Sequence, residues 1–216
     1  DLSESLSGVR GIWQLSFTID VIRRYALAYQ SLLRGHKGFN PRIVIGYDTG
    51  PSSRSVASNL ADYLDCEIID IGPATTPIIE HAVRDYNADG GVIITASHNP
   101  VEYNGFKFLR KDGGLLDPEI MKELIRKAQE SDFSTFVLPY STKSKMPDWK
   151  PRHKDSVKDY IEFVFDLLGE ENIKNIREYY GKESRRKVIV DPNGGSVCIV
   201  LEQILSRLGI RYEISN

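Results

Sequence analysis

Short β-branched runs alternate with amphipathic stretches through the first 130 or so residues, and that alternation leaves the chain few ways to fold. A strand followed repeatedly by a helix argues for a sheet covered by helices. Ile19, Ile22, Ala26, Tyr29 and Leu33 recur at helical spacing behind Thr18, a natural N-cap, and residues 42–47 then read as a strand. A second helix follows Ser52 or Ser53, with Val56, Leu60 and Leu64 as its apolar row, and leads to a strand at 67–71. Thr76-Pro77 starts a third, whose buried stripe is Ile79, Ala82, Val83 and Tyr86. Strands are expected at 91–94 and 105–109, and Asp117-Pro118 opens a helix carrying Ile120, Leu124 and Ala128.

The tract 131–152 breaks the pattern with Pro139, Pro151, several Ser and Thr and mixed charge, which marks it as a linker. Beyond it Val157, Ile161, Val164, Phe165 and Leu168 form an amphipathic helix expected to end near Gly169. A new unit follows: a strand at 187–190, the turn Asp191-Pro192-Asn193-Gly194-Gly195, a helix at 197–208 and a strand at 211–214. Two strands and one crossover helix cannot cover both faces of a parallel sheet, so this second domain reads as incomplete. The chain opens at Asp1 without Met and stops at Asn216 directly after a strand-like run, which reads as two cut ends. The organisation expected is one domain over 1–134, a linker over 135–155 and an incomplete second domain over 156–216.

Composition narrows the function classes. With 216 residues and 41% hydrophobic content the chain can bury a sizeable core. The 28 Lys plus Arg against 30 Asp plus Glu give no global attraction to nucleic acid or to an acidic membrane, so any anion binding must be local. Cys66 and Cys198 sit in apolar patterns, against a disulfide framework, and a reducing cytoplasm is the expected location. No stretch approaches the ~20 apolar residues that span a bilayer.

The chemistry concentrates where the 91–94 strand stops. Thr95-Ala96-Ser97-His98-Asn99-Pro100 presents Ser97 on a loop at a strand end, where open α/β sheets bind ligands. Asn104-Gly105-Phe106-Lys107 follows, putting a cation ten residues from a candidate nucleophile. A serine that carries a phosphoryl group needs such a cation, and His98, Asn99 and the loop amides add donors. Each also has a plain reading: an exposed strand lysine, a satisfied loop histidine, a hydrogen-bonded turn. The strained Gly-x-Ser-x-Gly elbow of hydrolases is absent, and adjacent side chains seldom align as nucleophile and base, so a triad would need His36, His81 or His153. Ser7-Gly8-Val9-Arg10-Gly11 sets Arg10 between glycines, where it can meet an anion. The stretch from Asp48 to Arg54 leads into a helix start, with Ser52 or Ser53 read as its N-cap. Asp191 to Gly195 lacks nucleotide-binding spacing and reads as a tight structural turn.

Together Ser7-Gly8-Val9-Arg10-Gly11, Gly46-Tyr47-Asp48-Thr49, Thr75-Thr76-Pro77 and Thr95 to Pro100 through Asn104-Gly105-Phe106-Lys107 closely resemble the α-D-phosphohexomutase family. That family includes phosphoglucomutase, phosphomannomutase and phosphoglucosamine mutase. The resemblance implies an α/β fold, a mixed sheet sandwiched between helices, followed by the start of a second α/β domain of similar type. It implies an isomerase of the phosphotransferase type that interconverts sugar 1-phosphates and 6-phosphates through a phosphoserine and a bisphosphorylated intermediate. Ser97, Lys107, Arg10 and His98 would then act in catalysis, Asn99 and Lys107 would meet the phosphosugar, and Mg²⁺ would bind through the phosphate on Ser97. The family's Asp-x-Asp-x-Asp metal loop is not in these 216 residues, nor are its later sugar and phosphate loops, so the piece is expected to be inactive alone. Gly50 stands where many relatives carry Arg, which leaves Arg54 as the nearby cation. A binding or scaffold module that keeps the fold without the chemistry is the alternative, and a serine hydrolase a third.

Overall fold

The computed structural model describes residues 1–35, 40–130, 155–180 and 186–215. Its elements run β1 (Ser3–Ser5), β2 (Gly8–Ile12), α1 (Ile19–Arg34), β3 (Arg42–Tyr47), α2 (Ser53–Tyr63), β4 (Glu67–Pro73), α3 (Thr76–Asp85), β5 (Gly90–Ile94), β6 (Tyr103–Leu109), α4 (Pro118–Glu130), α5 (Ser156–Tyr180), β7 (Val188–Val190), α6 (Cys198–Leu208) and β8 (Tyr212–Ile214). The first six strands form one sheet in the order β1-β2-β6-β5-β3-β4, and β7 pairs with β8 in a second. In the large sheet β3 is parallel to β4 and β5, while β6 is antiparallel to β5 and β2. The sheet is therefore mixed, as the family resemblance implies.

Period-two alternation divides the core. Ile43, Ile45, Val92, Ile94, Phe106 and Phe108 face α1, α2 and α4, where they meet Ile22, Tyr25, Leu60 and Leu124. Val44, Ile93 and Leu109 face the other way onto Ile78, Ile79 and Val83 of α3. Strand β5 is buried along its whole length, as a central strand covered on both faces must be. Helix α1 opens on Thr18, whose Oγ1 accepts from the Val21 amide at 3.4 Å. Thr76 and Pro77 begin α3, also as expected.

Helix α5 does more than begin a second unit. Its Ile161 and Phe165 are buried in the same cluster as the α3 side chains, so α5 forms an outer layer over α3. Tyr86 ties the two by donating to Asp159 Oδ2 at 2.8 Å. The helix breaks at Gly169, whose φ of 71° is non-helical, and a further helical stretch to Tyr180 follows that the sequence pattern did not indicate. The short β1 and β2 were also not expected as strands. The linker expected over 135–155 lies outside the described residues apart from Asp155.

Candidate functional site

Strands β3, β4 and β5 end on one edge of the sheet, and the antiparallel β6 begins there. The chain leaving β5 is caught at once. Asp48 donates its amide to the Ile94 carbonyl and Thr95 donates its own to the Gly105 carbonyl, both at 3.0 Å. Two residues later Ser97 adopts a φ of 61°, the left-handed region. For a serine this costs about 1–2 kcal/mol. The Ser97 amide donates to Thr95 Oγ1 at 2.8 Å, and a hydrogen bond of about 1 kcal/mol net is of the size needed to offset that cost. Ser97 itself is exposed.

The serine lies in the wall of a cavity of about 350 Å³. One side is the β3–α2 loop, from Asp48 to Pro51 with Ser53. A second is the serine loop itself, from Thr95 to Val101 without His98, and a third is the turn from Asn193 to Ser196 that precedes α6. The first and third sides are joined directly: Thr49 Oγ1 donates to the Gly194 carbonyl at 3.0 Å. A larger open groove of about 680 Å³ lies at the α5 break, and its two arginines are engaged by the protein. There Arg207 makes a two-point contact with Glu162, and Arg177 donates to the Arg207 carbonyl.

Beneath the serine cavity runs a buried polar network. Asp48 Oδ1 accepts from the Ser53 hydroxyl at 2.5 Å and from the Gly50 amide at 2.9 Å. Asn104, only 2% exposed, donates to Ser52 Oγ at 2.7 Å and Ser53 Oγ at 3.0 Å, while its Oδ1 accepts from the Gly105 amide at 2.7 Å. The expected capping of α2 by Ser52 or Ser53 is therefore corrected. Ser52 already has helical dihedrals (φ −91°, ψ −13°), so its hydroxyl does not reach the helix amides and instead holds Asn104.

Arg10 and Lys107 share one face of the sheet. Arg10 stands opposite Gly105, and Lys107 opposite Ile93, whose side chain faces α3. Each stem lies over a glycine: a Cβ on Gly105 would come within 2.9 Å of Arg10 Cγ, and one on Gly8 within 3.3 Å of Lys107 Cγ. Among the described residues the Arg10 Nε is buried without a hydrogen-bond partner, as is the Nε of Arg42. On α3, burial pushes the Glu80 carboxyl up against the opposing pull of Arg84 and Lys107.

The structure thus brings Ser97 and Asn99 to the cavity wall and leaves Arg10, Lys107 and His98 outside that wall. His98 Nδ1 lies 3.3 Å from Ser97 Oγ, a contact between neighbours that was not expected. No other hydrogen bond to His98 is found among the described residues, so nothing orients it as a hydrolase base is oriented. His81 is buried against Tyr160 and Phe163, while His36 and His153 lie outside the described residues. Arg54 is exposed on α2 and not in the cavity wall. The 193–196 turn, a plain structural turn by its local sequence, is thus also a wall of the cavity.

Among the described residues no group of three or more His, Cys, Asp or Glu could hold a metal ion. Asp48 is the single carboxylate that the described residues contribute to the cavity wall, and one of its oxygens already accepts two hydrogen bonds. These residues do not by themselves make a Mg²⁺ site. No described helix is long and apolar enough to cross a membrane.

Comparison with known proteins identifies the family. Residues 4–135 match the family described as phosphoglucomutase/phosphomannomutase, alpha/beta/alpha domain I. A phosphoglucomutase/phosphomannomutase of Thermococcus kodakarensis is 33% identical over 219 residues, covering 97% of this chain and 43% of its own length. A phosphoglucosamine mutase of Clostridium tetani is 40% identical over 162 residues, covering 73% of this chain and 35% of its own. A solved structure from Thermus thermophilus, provisionally named a phosphomannomutase, superposes with a TM-score of 0.74 at 26% identity, over 99% of this chain and 45% of that one. The chain spans less than half the length of the curated relatives it matches.

Proposed function

Because the chain belongs to the phosphoglucomutase/phosphomannomutase family, we propose that it supplies the phosphoserine-bearing part of a phosphohexomutase, with Ser97 as the residue that carries the phosphoryl group. The observation that carries this reading is the conformation of Ser97: an exposed serine held at positive φ, past the carboxyl end of a buried central strand, in the wall of a cavity. Such a serine offers its hydroxyl to a ligand rather than to its own backbone.

In the reaction a phosphoryl group passes from Ser97 Oγ to the free hydroxyl of a sugar monophosphate, giving a bisphosphate. The other phosphoryl group then returns to Ser97. The accepting hydroxyl loses a proton as the serine oxygen regains one. Lys107 is the residue we assign to that proton traffic, and Arg10 to the phosphoryl oxygens, since both lie on one sheet face and Arg10 Nε has no partner within the described residues. Asn99 contributes to the cavity wall against the sugar, and His98 shapes the loop through its contact with Ser97. Residues 1–134 form the domain that carries these groups, 135–155 a linker and 156–216 part of a second domain, whose 193–196 turn closes the cavity. A Mg²⁺ ion would neutralise charge during the transfer, with its carboxylate ligands supplied from outside the described residues.

The test is intact-mass analysis of the protein purified from cells, with the phosphate mapped to a residue, together with mutase assays of the complete protein and its Ser97→Ala variant. Phosphate on Ser97 and loss of sugar-phosphate isomerisation in the variant are expected. A Ser97→Ala protein as active as the wild type overturns the assignment, and a fluorophosphonate probe that labels Ser97 would favour a hydrolase.

A further inference from the structure

Four described residues other than glycine have positive φ, and two of them are asparagines, which tolerate it. Ser97 is different: it stands at the reacting position, so whatever holds its backbone also sets the direction of its hydroxyl. Among the described residues the only side chain that bonds its amide is Thr95, two residues earlier and just 8% exposed. Thr95 is fixed in turn by its amide on the Gly105 carbonyl, and Gly105 by the Asn104 side chain, which is anchored on Ser52 and Ser53. A continuous hydrogen-bonded path thus runs from the start of α2 to the Ser97 amide.

We infer that Thr95 is the positioning residue of the reactive serine: its hydroxyl locks Ser97 in the left-handed conformation that presents Oγ to the cavity. This inference rests on the phosphoserine reading above. Phosphoryl transfer requires in-line alignment of the attacking and leaving oxygens in both directions, and the same serine must serve as donor and acceptor. Relaxation of Ser97 to an ordinary negative φ would swing its side chain away from the substrate hydroxyl. Thr95 also lines the cavity, and in this role it acts through the Ser97 amide rather than on the transferred group.

The experiment compares Thr95→Ser, Thr95→Ala and Thr95→Val in the complete protein, with α-D-glucose 1-phosphate, α-D-mannose 1-phosphate and α-D-glucosamine 1-phosphate as probes. Serine and alanine both lose the methyl group and differ only in the hydroxyl, while valine keeps the shape without it. Thr95→Ser should keep kcat near the wild type, and Thr95→Ala and Thr95→Val should lose about tenfold to a hundredfold in kcat. KM should stay within about twofold in all three, because Asn99 and the other walls of the cavity are unchanged. A role limited to stability would lower the melting temperature and leave the kcat of the folded protein unchanged. If alanine unfolds the loop, the serine and valine pair decides. Thr95→Ala or Thr95→Val turning over like Thr95→Ser, in a protein that Ser97→Ala inactivates, overturns this inference alone. A wild-type protein inactive on all three sugars brings down the phosphoserine reading, and this inference with it.

Discussion

Thr49 donates its hydroxyl to the Gly194 carbonyl at 3.0 Å, joining the loop after β3 to the turn that precedes α6, 145 residues further along the chain. The contact closes the third side of the serine cavity, which neither piece could form alone. It also lies at the exposed rim, where a hydrogen bond contributes about 1 kcal/mol or less.

Thr49→Val should therefore leave global stability almost unchanged while loosening the cavity wall. Hydrogen exchange at the amides of residues 193–196 is expected to quicken, with protection of β5 unaltered. Equal exchange in variant and wild type would mean that the turn is held by something other than Thr49.

Asn104 is placed very differently, because it is buried and serves three partners. Asn104→Ala strands the Gly105 amide and removes the donor from both serines, for an expected loss of about 2–4 kcal/mol. In urea titrations the midpoint should fall with little change in slope. A loss within about 0.5 kcal/mol would show that water replaces the side chain at no cost.

The elements visible in the sequence were those specified locally. Val56 and Leu60, with Leu64 at its C-cap, give α2 its period, and the run of buried residues from Gly90 to Ile94 announces a central strand. Strand β2 was hidden because Gly8, Arg10 and Gly11 leave it little apolar pattern, and its pairing with β6 joins distant parts of the chain. Gly169 marks the interruption where the sequence pattern puts the end of the helix, yet nothing in its local chemistry says that helix resumes at once. The same boundary runs through the site. Ser97 was legible because a buried strand gives way to small and polar residues there. Ser52 and Ser53 were misread because capping is judged from neighbours, and Asn104, the partner that claims their hydroxyls, arrives from β6. The approach of Asn193 to Ser196 is wholly tertiary, and only the Thr two places before the serine offered a local sign of how Ser97 is held.

Far from the site, Tyr29 ties the other end of the central strands. Its buried hydroxyl donates to the Leu109 carbonyl at 2.7 Å and accepts from the Gly91 amide at 2.9 Å, and burial pushes its pKa well above the ordinary tyrosine value. Tyr29→Phe removes both bonds without changing the packing of the ring against Phe108. A destabilisation of about 1–3 kcal/mol is expected in thermal or urea unfolding. A variant as stable as the wild type would show that the strand ladder alone satisfies these groups.

The docking of α5 on α3 should be sensitive to acid through His81. Its ring lies 4.6 Å from that of Phe163 and 5.8 Å from that of Tyr160, measured between centroids. Burial lowers its pKa below the ordinary 6.5, with Arg84 reinforcing the shift and the carboxylates of Asp85 and Asp159 opposing it. Above about pH 7.5 the histidine is essentially neutral in folded and unfolded chains alike, and it costs almost nothing. As the pH falls below that value the unfolded chain takes up a proton that the folded one resists, so stability is lost through the window between the unfolded and folded pKa values. The melting temperature should therefore hold nearly steady above about pH 7.5 and drop increasingly through about pH 6.5 and below, with His81→Phe showing a shallower drop because the ring contact remains and the proton does not. Parallel curves for the two proteins would assign the acid sensitivity to the carboxylates instead.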